Sequence, residues 1–154
     1  LWTIQAGFVE LSLAHKRRSQ AQADAFVAEE LHRSPLIDPA ALSAREASFL
    51  ASLALSVLQA RDLFALYQGW IDRLSALAAS CRTGEFVVPA TQAEAAANRE
   101  ALLELNQLER ELASLRAEAK KARQLSVRVD LNLKIKGKEA QHAALVRSLP
   151  RATV

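Results

Sequence analysis

His15, Lys16, Arg17 and Arg18 stand side by side. Four donors in four residues suit an oxyanion: a guanidinium can grip two oxygens at once, and Lys and His add compact charge. A phosphate or a carboxylate is the matching ligand, and the phosphates of a nucleic acid belong to that class. Cations gather again at Lys120, Lys121, Arg123 and Arg128, which would extend such contacts along a helix face. The plainer reading is a solubilising loop, its charges paired with Asp24, Glu29 and Glu30, and exposed pairs of this kind contribute little.

Other chemistry is thinly supported. His15, His32 and His142 are widely separated, no pair has metal-ligand spacing, and Cys81 is the sole thiol, so no metal and no cofactor is expected. Cys81 falls on an apolar helical stripe, which predicts a buried, inert thiol. No glycine-rich phosphate loop and no nucleophile elbow occurs. Glu10 on a strand near Lys16 invites comparison with the core of a metal-dependent nuclease, but the spacing is wrong for a compact carboxylate–lysine pair. Tyr67 and Ile71 share the stripe, with Trp70 beside it. That is core packing, or a partner groove anchored by Trp70. Gly69 in the same helix costs up to about 1 kcal/mol, which predicts close approach by another element.

The elements that carry these residues are legible in part. Trp2 and Ile4 alternate with Thr3 and Gln5, Ala6-Gly7 suits a two-residue turn, and Val9, Leu11 and Leu13 alternate with polar residues. This predicts a hairpin with one buried row. Phe26–Leu31 reads as a third short strand, stopped by Ser34-Pro35. Ser43-Ala44-Arg45-Glu46 is a capping box. From Ala44 to Arg82 either one long helix runs, or two helices break near Gln59–Asp62 with Asp62 as a cap. Thr83-Gly84 ends the stretch. Thr91-Gln92-Ala93-Glu94 opens a further helix, with Leu105, Leu108, Leu112, Leu115, Ala119 and Ala122 at alternating three- and four-residue steps. From Leu125 to Ile135 apolar and polar residues alternate strictly, a strand signature when taken alone. No turn residue separates it from the helix before it, so it is read as helix. It then carries apolar residues around most of its circumference, which predicts more than one neighbour.

The expected architecture is therefore α+β: a small, incomplete N-terminal sheet, then helices, then a long C-terminal helix of coiled-coil type. The expected divisions are a β-rich segment 1–37, a helical segment 38–84, a linker 85–90 and one amphipathic helix 91–149. The chain has 154 residues, of which 51% are apolar, with only four Gly and four Pro, the profile of a folded, helix-rich protein. It lacks Met and begins with Leu, which suggests a fragment whose sheet has further strands upstream. No apolar run reaches membrane-spanning length and no disulfide pair is possible, so a cytoplasmic location without membrane contact is expected. Residues 1–90 hold 8 basic and 9 acidic side chains, residues 91–154 hold 12 and 8. The excess is sharpest over Arg110–Lys138, with 9 basic against 3 acidic.

Three segments in order carry a resemblance: Val9-Glu10-Leu11-Ser12-Leu13-Ala14-His15-Lys16-Arg17-Arg18-Ser19-Gln20, then the stretch from Leu63 to Leu74, then Arg128-Val129-Asp130-Leu131-Asn132-Leu133-Lys134-Ile135-Lys136. Together they resemble the bacterial domain-of-unknown-function family 4391. The resemblance implies further strands upstream, a helix break near Asp62 and a coiled-coil-like C-terminal helix through Leu125–Ile135. It also implies gene neighbourhoods with helicases and DNA methyltransferases, of restriction or phage-defence type. It supplies no catalytic residues.

The expected function is a non-catalytic accessory module. It would meet a partner protein, or its own copy, through the stripe of Leu105, Leu108, Leu112 and Leu115, with Trp70 as a second anchor. Nucleic-acid binding through the two basic clusters, or an incomplete nuclease domain, are the alternatives.

Overall fold

The computed structural model describes residues 1–5, 7–18, 25–28, 30–58 and 60–151, with Trp2 and Gln5 described by backbone only. Ala6, Ser19, Gln20, Asp24, Glu29 and Gln59 therefore lie outside the described residues.

Strand β1 (Trp2–Gln5) pairs antiparallel with β2 (Phe8–Leu13), Ile4 opposite Val9 and Trp2 opposite Leu11. Gly7 at φ +86° supplies the left-handed residue that a tight turn of this register requires. Leu11 and Leu13 turn into the core. The expected third strand Phe26–Leu31 is described as strand only over Phe26–Ala28, and a separate short strand follows beyond Leu31. β4 (Phe26–Ala28) pairs with β3 (Lys16–Arg18) as a separate ribbon, while β5 (His32–Arg33) joins the free edge of β2. Beyond β5 the chain stays beside β2 through Ser34, whose hydroxyl accepts from Leu11 N at 3.0 Å, and through the Val9–Ile37 bridge. Pro35 falls between these contacts, where no ladder N–H is needed.

Three of the four helix starts follow their caps. The Ser43–Glu46 box opens α1 (Ala44–Ser52), Asp62 caps Ala65 N at 2.8 Å to open α2 (Leu63–Thr83), and Thr91 caps Glu94 N at 3.1 Å to open α3 (Gln92–Lys121). The two-helix alternative with Asp62 as cap is the one adopted. Gly84 at φ +86° stops α2. Leu11, Leu13, Ile37, Phe49, Ile71, Leu74 and Leu77 form the core between sheet, α1 and α2. Gly69 allows the approach anticipated for it: a Cβ there would sit 2.6 Å from Leu58 Cδ2.

The expected single helix from 91 to 149 is two helices. α3 ends at Lys121, the chain turns through Ala122–Gln124, and α4 (Leu125–Ser148) runs back antiparallel along α3. The physical reason is burial. A straight helix would leave the α3 stripe in water, whereas folding back buries Leu105, Leu108 and Leu112. At about 1.5–3 kcal/mol for each side chain, that outweighs the few helical hydrogen bonds lost at the turn, at about 1 kcal/mol each. Arg116 Nη2 meets Glu139 at 2.6 Å and Lys138 Nζ meets Glu111 at 2.7 Å across the seam. Glu109 joins three helices, accepting from Arg82 of α2 and lying 3.3 Å from His142 Nε2 of α4. Ala79, Leu102, Leu105 and Leu149 close a second core where α2, α3 and α4 meet. Residues 125–135 are helical, as read. No described helix is long and apolar enough to cross a membrane.

Candidate functional site

The first turns of α2 meet the end of β2 at His15. Gln68 and Asp72 are four residues apart, so both side chains leave α2 on one face. His15 Nε2 donates to Gln68 Oε1 at 3.1 Å, and Gln68 Nε2 donates to Asp72 Oδ1 at 2.9 Å. Asp72 also accepts from Arg99 Nη1 and, at 3.2 Å, from Gln92 Nε2, both of α3. Asp72 is only 5% exposed, and these three donors occupy its carboxylate. A polar line thus runs from the protein surface at His15 through α2 to α3.

On the solvent side of that line, Phe64 lies against His15 with ring centroids 4.5 Å apart and planes inclined by 22°. Tyr67 borders the imidazole at 6.5 Å. Ala14, His15 and Lys16 face Leu63, Phe64 and Tyr67 across a cleft of about 330 Å³. A second, smaller cleft of about 200 Å³ lies between β5, α2 and α3, bordered by His32, Arg33, Arg82 and Arg99. Each of its guanidiniums already meets a carboxylate: Arg33 meets Glu10 at 3.6 Å, Arg82 meets Glu109, and Arg99 meets Asp72. Burial pushes the His32 imidazole below its ordinary value of 6.5; Arg99 and His15 push the same way, while Glu30 and Asp72 oppose.

The sequence profile of the family described as Domain of unknown function (DUF4391) matches residues 1–141. The chain belongs to this family. No curated protein and no solved structure matches the chain. In this DUF4391 domain the first two segments that carry the resemblance converge in space, since His15 lies in the first and Gln68 and Asp72 in the second.

The basic candidates do not form one surface. Lys16, Arg17 and Arg18 are exposed on β3, at the sheet end. Lys120, Lys121, Arg123 and Arg128 are exposed at the far turn of the α3–α4 hairpin. Lys120 is 21 residues beyond Arg99 along α3, about 30 Å at the helical rise. The two basic clusters are thus separate surfaces. Glu10, weighed as part of a nuclease core, is matched with Arg33 instead. Among the described residues, no three His, Cys, Asp or Glu side chains gather as a metal-ligand set.

The proposed interface stripe needs correction as well. Leu105, Leu108 and Leu112 are buried within the chain, and Leu115 is half-buried beside α4, so this seam is occupied internally. Trp70 is half-buried too: its indole N–H donates to Leu53 O at 3.1 Å and its ring lies edge-on to Tyr67 at 5.5 Å. Cys81 is exposed rather than buried, because Ser80 takes the inward position and satisfies its hydroxyl on Leu77 O at 2.7 Å. Asp72, Gln68, Gln92, Arg99 and Phe64 were not singled out in the sequence. The available signal was the lone carboxylate of α2, next to Ile71 on the apolar stripe.

Proposed function

We propose that this DUF4391 domain is a non-catalytic interaction module whose partner docks on the outer face of α4. The observation that carries the reading is that α4 is apolar on two opposite sides. Leu131, Ile135 and Leu145 lie on one side and are half-buried, and Leu145, with Leu149 just beyond the helix, packs into the core shared with α2 and α3. Leu125, Val129 and Leu133 recur at four-residue steps on the other side and are 68%, 48% and 65% exposed. Ala140 continues that stripe as an exposed small residue. A contiguous apolar stripe in water is the usual mark of a docking surface. Arg128 and Lys136 border it, against Asp130, so the fitting occupant is an amphipathic helix with acidic flanks. A second copy of the same stripe would set these cations against one another. The internal saturation of Asp72 supports a structural role for the polar line, in keeping with a module that binds rather than reacts. Helicase or DNA methyltransferase components of a restriction or phage-defence system are the partners to try first.

The test is the double substitution Val129→Asp and Leu133→Asp. Both positions are exposed, so the melting temperature should stay close to that of the unaltered protein. Co-purification with a tagged partner, and its complex in sedimentation velocity, should be lost. Retention of the complex after both substitutions would place the interface elsewhere.

A further inference from the structure

We propose that the β3–β4 ribbon and the first turn of α2 form a binding site for single-stranded nucleic acid, with Phe64 as a base-stacking platform and Lys16 and Arg18 as phosphate contacts. The inference is independent of the α4 docking face. Phe64 is 67% exposed although one face of its ring is covered by His15. The open face therefore looks to solvent. His15 behind it is fixed by Gln68, and Gln68 by the buried Asp72. An exposed aromatic ring is common; one braced from behind by a chain ending in a buried carboxylate is pre-organised for a flat ligand.

The charges and a second ring lie on the same surface. Lys16 borders the cleft that Phe64 closes. Lys16 and Arg18 are two residues apart on β3, so both side chains leave one face of the ribbon. Arg18 is directly opposite Phe26 in the register, which puts Phe26 on that face too, and its ring is 65% exposed. The face thus reads aromatic, cation, cation, aromatic, from Phe64 through Lys16 and Arg18 to Phe26. Rings that accept base faces, interleaved with cations that follow the backbone, are the working parts of single-strand binders. A duplex would hide the base faces from Phe64. An acidic peptide would use the cations and leave the rings idle.

The test is fluorescence anisotropy with a labelled oligothymidylate of about 15 nucleotides and the full chain, at low and moderate salt. Binding should be measurable at low salt and fall steeply as salt rises. Phe64→Ala should weaken it by about five- to a hundredfold with an unchanged circular dichroism spectrum, and Phe64→Trp should retain it. Lys16→Ala with Arg18→Ala should flatten the salt slope by roughly 1.4, at about 0.7 for each phosphate. The proposal is overturned by no binding at low salt, by equal affinity after Phe64→Ala, or by equal affinity for a duplex or a polyglutamate chain of the same charge.

Discussion

Substituting Asp72 by Asn separates a structural strut from a functional site. The carboxylate is buried and accepts from Arg99, Gln68 and Gln92. Asn preserves the shape but removes the charge, and it turns one acceptor into a donor. Arg99 and Gln68 share Oδ1, while Gln92 uses Oδ2, so either orientation of the amide leaves a donor facing a donor. Removing one member of a buried pair costs about 3–5 kcal/mol. The Arg99 side chain is 26% exposed and can swing partly into water, which lowers the expectation to about 2–4 kcal/mol. For a chain of this length that is about 6–12 °C in melting temperature. Urea titration followed by circular dichroism gives the free energy directly. The pair Asp72→Leu with Arg99→Met should recover much of the loss, since a well-packed apolar replacement is often neutral. The cycle should show a coupling of about 1–3 kcal/mol. A D72N variant within about 0.5 kcal/mol of the parent, or more stable than it, would refute the strut. It would instead mark Asp72 as a residue held at a cost to stability, as functional groups are.

Leu105→Ala should cost roughly 2–5 kcal/mol by urea titration, because Leu105 is fully buried where α2, α3 and α4 meet; a loss typical of a surface position would mean that the hairpin does not close on α2. Stability should also fall as the solution is acidified through about 6.5, on account of His32. Its pKa is lowered in the fold, so the unfolded chain binds the proton more readily in that range. This contribution to stability is intact above the unfolded value and is lost as pH falls through the lowered folded value. Thermal melts of the parent and of His32→Gln isolate the effect, since His15 and His142 are common to both; a difference that does not change with pH would remove it.

The sequence was most legible where a single side chain sets a backbone boundary. Ser43, Asp62 and Thr91 announce α1, α2 and α3 because their oxygens satisfy N–H groups that no other local partner reaches. Gly84 and Gly7 mark reversals because positive φ is nearly free only for glycine. The turn between α3 and α4 has no such sign. Gln124 caps α4 without a side-chain hydrogen bond, and neither Gly nor Pro interrupts Ala122–Gln124. That break is decided by what α3 buries on folding back, which no local pattern records. The polar line was hidden for a related reason. Gln68 and Asp72 are adjacent on one helix face, but His15, Gln92 and Arg99 come from 53, 20 and 27 residues away. The β3–β4 ribbon was missed because Lys16-Arg17-Arg18 has the composition of a loop, and pairing with β4 makes it a strand.

The alternation in α4 carries the broadest lesson. Residues two apart on a helix are about 200° apart around its axis, so a strictly alternating run places apolar side chains on opposite sides. In a sheet the same pattern would be spent on one core. In α4 the two sets fall on two sides, and α3 covers only one of them. Leu125, Val129 and Leu133 remain in water within this chain. Were the outer side only a tolerated surface, polar residues would serve better there, as they do at Lys120, Lys121 and Arg123 on the adjoining turn. On the proposed reading, the apolar choice at three successive turns of one helix serves a second surface on the outer side, as the inner side serves α3.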